Sequence, residues 1–256
     1  MKNYQKILMA TFIFLFGTSF LLSSCQDKEQ AEPDYTKAAA AAKLQSDTLD
    51  CSCLVNPADE ITPEETEMLL YMREEEKLAR DVYTTLYDQY GVPVFNNISK
   101  SEQVHMDRVL CLLNYYNIED PATEEIGVFT NGDLQELYNS LVELGSSSYV
   151  NALTVGATIE DVDIYDLAES LEQTSNEAII TIFEHLKCAS GNHLRAFTRL
   201  LTKNGSEYTP QYISQEEYDE IISGPAGPCG FGPSSGQNNK GGEPRGNGNP
   251  DCPRNK

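Results

Sequence analysis

Glu102 and His105 stand three residues apart, a spacing that puts a carboxylate and an imidazole on one helix face where both can grip one metal ion. The row through them is Ile98, Glu102, His105, Val109, Leu112 and Tyr116, so two polar groups interrupt an apolar seam. A competing reading makes Glu102 the capping partner of Ser99 and His105 a hydrogen-bonded core histidine. Three other seams are interrupted in the same way. Leu69, Met72, Glu76, Ala79, Tyr83, Leu86 and Tyr90 form one; Glu75 has its own partly apolar row in Met68, Tyr71, Leu78 and Val82, and periodicity does not choose between the two carboxylates. The run Glu74-Glu75-Glu76 also reads as a solvated charged face. Leu153, Gly156, Glu160, Ile164, Leu167 and Leu171 centre on Glu160, with Asp163 at i+3, and Ile179, Phe183, Leu186, Ser190, His193, Phe197 and Leu200 carry a second histidine. A carboxylate on a core seam is costly unless it is paired, protonated or metal-bound. Four seams with such residues near mid-length therefore point to one shared polar centre. The chain has 3 His and no Trp, so a site needing several imidazoles must draw on His105, His185 and His193.

The elements that must position these groups are helices. Thr62-Pro63-Glu64-Glu65 combines an N-cap, a proline in the first turn and a capping-box Glu, and predicts a helix running to Tyr90, where Gly91 and Pro93 stop it. A second helix is expected from near Ile98 to Tyr116, and a short one over Asp133–Leu144. A third long helix covers Tyr149–Leu171, and a fourth opens on the box Thr174…Glu177 and closes at Asn204-Gly205. A last small one starts at Ser214 with Glu217 as its box partner. No stretch sustains β alternation. Two long helices, a long connection carrying a short helix, and two more long helices suit an all-α four-helix bundle with one crossover, the ferritin-like connectivity.

The ends read differently. Residues 1–24 run from Lys2 and Lys6 through an apolar stretch to Leu22-Ser23-Ser24-Cys25, the layout of an export signal. It resembles a bacterial lipoprotein signal, which implies cleavage before Cys25 and lipidation of its sulfur. The membrane is then met through an N-terminal lipid at the cell envelope, on the outer-membrane, periplasmic or surface side. Residues 25–60 are polar and acidic and read as a tether, residues 61–224 as the helical domain, and residues 225–256, rich in Gly, Pro and Asn, as a tail without a packed core. With 40 Asp+Glu against 18 Lys+Arg the net charge of -22 repels phosphate backbones and argues against nucleic acid as a partner. Of the 7 Cys, Cys51, Cys53, Cys229 and Cys252 lie in the flanking segments without zinc-site spacing, and disulfides linking tail to tether or free thiols both fit.

The stretches Leu70-Tyr71-Met72-Arg73-Glu74-Glu75-Glu76-Lys77-Leu78-Ala79-Arg80-Asp81-Val82-Tyr83, Ser101-Glu102-Gln103-Val104-His105-Met106-Asp107 and Asn192-His193-Leu194-Arg195-Ala196-Phe197 resemble the ferritin-like superfamily of carboxylate-bridged di-iron proteins. Within it they are similar to a bacterial and archaeal family defined as a domain of unknown function. The likeness covers about residues 60–224. Ferritins, bacterioferritins and rubrerythrins share Glu-x-x-Ala-x-x-x-Tyr on the first helix, matched by Glu76, Ala79 and Tyr83, which favours Glu76 over Glu75. The resemblance implies metal ligands at Glu76, Glu102, His105, Glu160 and His193. Tyr83 becomes a hydrogen-bond donor to a bridging carboxylate or a one-electron relay, beside the plainer reading of a core tyrosine with a satisfied hydroxyl. The departure is Ser190, where the pattern has a glutamate; either Asp163, on the same face as Glu160, fills that side, or the second metal site is weak, open to water or absent. In the antiparallel arrangement this connectivity implies, Cys111 and Cys188 lie at nearly the same height, at ~1.5 Å rise per residue. They face each other, giving a disulfide across the bundle, or point opposite ways.

The implied cofactor is a pair of iron ions per chain, with Mn or Zn accepted by the same ligand types. The implied activity is oxidation of Fe(II) or reduction of O2 or peroxide by a lipid-anchored protein, with metal ions and a small oxidant as partners and a homodimer compatible with the sequence. A closed storage cage suits a tethered chain poorly. The second reading is a metal-free or zinc-stabilised helical bundle serving as an envelope binding module. A hydrolase finds no nucleophile motif.

Overall fold

The computed structural model describes residues 51, 60–227 and 229. The expected signal, Cys25, most of the tether, Cys53, Cys252 and nearly all of the tail lie outside the described residues. The described part is all-α: α1 (Pro63–Tyr90), α2 (Pro93–Tyr115), α3 (Gly132–Ser146), α4 (Tyr149–Gln173), α5 (Glu177–Lys203) and α6 (Gln215–Ser223). No helix among them is long and apolar enough to cross a membrane.

The start of α1 is the expected reciprocal box: Glu65 N–H donates to Thr62 Oγ1 at 3.1 Å and Thr62 N–H donates to Glu65 Oε2 at 3.0 Å. Its end is Gly91, at φ 64, whose N–H closes on the Tyr87 carbonyl at 2.8 Å. Pro93, expected as a stop, instead opens α2 as its first residue, where its fixed φ suits the helix and its missing N–H costs nothing. That moves the start of α2 from near Ile98 to Pro93 and excludes the Ser99–Glu102 capping box; the Ser99 hydroxyl donates to the Asn96 carbonyl inside the helix, and Glu102 is mid-helix. The cap of α5 also differs. Asn176 caps it by accepting from Ala178 and Ile179, while the Thr174 hydroxyl reaches Glu65 Oε1 at 2.5 Å and ties the α4–α5 link to the first turn of α1.

Helix α1 packs along α2, and α4 along α5; α2 meets α5, α1 meets α4, α3 lies against both α1 and α4, and α6 covers α5. Two apolar clusters form. One gathers Val82, Tyr83, Leu86, Phe95, Ile98, Leu153, Phe197 and Leu201. The other gathers Leu69, Met72, Val109, Leu112, Ile179, Ile182, Phe183 and Leu186. On α1, α2 and α5 the candidate ligands fall, in sequence, between the segments that feed the two clusters; on α4, Glu160 lies between Ile159 and Ile164 of the first cluster, ahead of Leu167 of the second. Apolar side chains thus bracket a polar layer.

The charged run of α1 is not a solvated face: Arg73, Glu74, Glu75, Glu76 and Lys77 are all buried. The segment between α2 and α3 wraps over them and is stitched down. Arg73 makes a two-pronged pair with Asp120 (3.0 and 2.8 Å), and Glu74 accepts from the backbone N–H of Thr130 and Asn131 at 2.6 and 3.0 Å. Lys77 pairs with Asp81, donates to the Glu125 carbonyl at 2.8 Å and lies 4.4 Å from the Phe129 ring centre.

The cysteines decide between readings that the sequence leaves open. Cys111 and Cys188 do not bond to each other; Cys111 is joined to Cys51 and Cys188 to Cys229. Each bundle cysteine thus fastens a flanking segment to its own helix.

Candidate metal centre

The seam residues converge. Glu76 from α1, Glu102 and His105 from α2 and Glu160 from α4 are at most 2 % exposed, and His193 from α5 is 8 % exposed. Their ligand-type atoms form two groups, Glu76/Glu102/His105 and Glu102/Glu160/His193, each with its atoms within 4.8 Å of one another. Glu102 belongs to both. Its Oε2 lies 2.7 Å from His105 Nδ1 and its Oε1 2.9 Å from His193 Nδ1. Each Nδ1 also faces a second carboxylate, His105 at 3.1 Å from Glu76 Oε2 and His193 at 3.2 Å from Glu160 Oε2. The two rings stack with centroids 5.6 Å apart.

One Nδ1–H cannot serve two carboxylate oxygens equally well, whereas a cation set among the three atoms would bind all of them. Glu76 Oε1 is buried with no hydrogen-bond partner, an orphan acceptor of the kind that calls for an explanation. The donor set of hard carboxylates and borderline imidazoles suits Fe, Mn or Zn. His193 Nε2 lies 3.0 Å from Ser101 Oγ, which fixes that ring from behind. Sequence reasoning passed over Ser101, because a serine one position before a seam residue carries no periodic signal.

Without a cation, the charges settle among themselves. Burial disfavours charge on both imidazoles, but Glu76 and Glu102 around His105 hold it well above the usual histidine range, and Glu102 and Glu160 push His193 up to about 10. Burial likewise works against Glu102, yet the two histidines keep its carboxyl well below the carboxylate range. Burial pushes Glu76 up to about 7 and also raises Glu160. Two imidazolium rings thus stand where two cations would supply the positive charge.

Tyr83 is fully buried and donates to Glu160 Oε1 at 2.5 Å, with the Gly156 carbonyl 3.3 Å away. Its ring packs between Phe95 and Phe197. The hydroxyl is both satisfied and attached to a candidate ligand, so the two readings of Tyr83 meet in one contact. Asp163 lies outside both groups of converging atoms. Its Oδ2 is bonded to the Ser190 hydroxyl, its Oδ1 is buried without a hydrogen-bond partner, and burial together with Glu76 and Glu160 raises its carboxyl well above the ordinary range. Ser190 therefore holds a carboxylate at the side where its own type cannot supply one. Glu75 is buried beside Glu76, and its carboxyl faces Asp166 on α4. The third histidine, His185, is edge-on to His105 at 6.3 Å, and burial, with His105 and Arg108 nearby, lowers it to about 4.

Fold and site define an all-helical protein with a buried carboxylate–imidazole layer. Residues 65–225, nearly the whole described bundle, match the family model for an uncharacterized protein domain (DUF2202), and the chain belongs to that family. It is 56 % identical over 168 residues to the uncharacterized protein MJ0754 of Methanocaldococcus jannaschii, covering 65 % of this chain and 91 % of that one. The crystal structure of the hypothetical protein MJ0754 superposes with a TM-score of 0.66 at 55 % identity, over 67 % of this chain and 99 % of that one.

Proposed function

We propose that this chain is a ferritin-like four-helix protein with one long crossover that holds two metal ions, iron foremost, and oxidises Fe(II) or reduces O2 or peroxide at the cell envelope. The observation that carries this reading is Glu102, whose two oxygens each face one histidine Nδ1, 2.7 and 2.9 Å away, so that a single carboxylate bridges two ligand groups. Glu76 and His105 would complete one ion's ligands, and Glu160 and His193 the other's. Asp163, steadied by Ser190, would supply the remaining carboxylate with its free Oδ1. Bound iron would supply the one-electron chemistry of the Fe(II)/Fe(III) couple. The chain's own part is to hold these carboxylates in place with Tyr83 and Ser101, and to keep bulk water out with the apolar clusters on either side. Lipidation at Cys25 would tether the domain, and the acidic surface suits the gathering of cations.

A second reading is the metal-free or zinc-stabilised bundle acting as a binding module, favoured by the carboxylate contacts that already pair Nδ1 of both His105 and His193. Metal content separates the two. Anaerobic Fe(II) loading of the wild type should give about two ions per chain, and the Glu102→Ala/His105→Ala variant should lose them. A wild type that retains no iron, manganese or zinc after loading and desalting overturns the two-ion reading.

A further inference from the structure

The two ligand groups leave part of the polar layer unexplained. Glu75 on α1 and Asp166 on α4 are each 6 % exposed, and their carboxyls face each other within hydrogen-bonding reach. Glu75 Oε2 is buried and has no donor. Among the described residues no Lys or Arg forms an ion pair with Glu75, Asp163 or Asp166. Two buried carboxylates that face each other need a proton or a cation to offset their repulsion.

Charge balance favours a cation. With both imidazoles neutral as ligands, Glu76, Glu102, Glu160 and Asp163 offset two divalent ions. Glu75 and Asp166 then remain as two negative charges, matching one more. Their placement adds a direction: Glu160, Asp163, Asp166, Glu169 and Glu172 recur every third residue of α4. At ~1.5 Å rise per residue each step is ~4.5 Å along the helix. The row turns steadily about the axis, and its members pass from buried at Glu160, Asp163 and Asp166, through half-buried at Glu169, to exposed at Glu172.

We propose that Glu75 and Asp166 form a third cation site, a holding point for a hard divalent ion moving between solvent and the two-ion centre along the carboxylate row of α4. Such ions accept two carboxylates and complete their coordination with water. The site is looser than the inner two, because Glu75 and Asp166 have no third ligand converging as tightly as those groups do. It is therefore a weaker site, as a transfer step requires. The inference rests on the two-ion reading and extends it.

The test is equilibrium dialysis of the full chain against Mn(II) without oxygen, with metal counted by mass spectrometry. The comparison is between wild type, Glu75→Gln/Asp166→Asn and Glu102→Ala/His105→Ala. Wild type should bind a third ion at least tenfold more weakly than the first two. The Gln/Asn variant, which keeps the shape and hydrogen-bonding capacity of both side chains, should keep the two tight ions and lose the third, and in stopped flow should load the pair at least fivefold more slowly. The Ala variant should keep only the weaker ion. Equal stoichiometry and equal loading rates in wild type and the Gln/Asn variant overturn the holding site, as does a wild type that stops at two ions; both leave the two-ion centre standing. A wild type that binds none overturns both.

Discussion

At the scale of single residues, the polar layer depends on groups that no cation would touch. Tyr83 gives its only hydroxyl proton to Glu160, and its ring is held by Phe95 and Phe197, so Tyr83→Phe removes the donor and little else. Removing a buried hydrogen bond to a carboxylate should cost ~2 kcal/mol. The cost is read as a lower urea midpoint at unchanged slope, and a variant as stable as wild type would show that Glu160 finds another donor. Ser190 is a finer probe, because it acts on the centre through Asp163 alone. Ser190→Ala should weaken one of the two ions ~10-fold by releasing Asp163 and leave the other unchanged. Equal weakening of both ions would place Asp163 outside the ligand set.

At the scale of elements, close approach between α4 and α5 sets the height of the layer. A Cβ on Gly156 would lie 2.4 Å from the Phe197 ring, the ring that also packs on Tyr83. Gly156→Ala should therefore destabilise by ~1–3 kcal/mol through overpacking. It should also disturb the Tyr83–Glu160 contact, visible as weakened metal binding alongside the lower melting point; a stable variant with unaltered metal content would mean Phe197 moves aside freely. Much of this was legible in the sequence, because an interrupted seam is a local property of one helix. Glu76, Glu102, His105, Glu160 and His193 each stood on an apolar row of period about 3.6, and folding brought those rows together. Burial of the 73–77 run was not legible, since it depends on Asp120, Glu125, Thr130 and Asn131, residues some fifty positions away on a segment without periodicity. Nor could periodicity separate Glu75 from Glu76, because α1 buries both. The start of α2 was misplaced because proline can begin a helix as well as end one. The cysteine pairing was out of reach for the same reason as the wrap: it joins helices to flanks that carry no pattern.

At the scale of the whole molecule, the protons now held in the centre make stability depend on pH with a definite sign. Burial raises Glu75, Glu160 and Asp163, pushes Glu76 up to about 7 and takes Asp166 to about 6. A carboxyl raised by folding contributes stability that is complete below its unfolded pKa of ~4 and is lost as pH climbs through the folded value. His105 and His193 are raised as well, so their contribution is complete below ~6.5 and is lost as pH climbs, for His193 toward about 10. Glu102 runs the other way, but its loss falls at pH values below the ordinary carboxylate range and does not bear on the window from 5.5 to 8. His185, lowered to about 4, also runs the other way, but only up to its unfolded value of ~6.5 and as one group against seven that are raised. The raised groups set the sign, and the metal-free protein should melt lower at pH 8.0 than at pH 5.5, by on the order of 5 °C. Surface repulsion from a net charge of -22 has the same sign, so the scans belong at high salt, which screens exposed charges and leaves buried ones largely untouched. Cations replace the same protons, so loading with Mn(II) should flatten or reverse the slope and raise the melting point most at pH 8.0. A metal-free melting point that is level or rising from pH 5.5 to 8.0 at high salt would mean that the buried carboxyls and imidazoles do not hold these protons, and that the layer is charged and compensated in some other way.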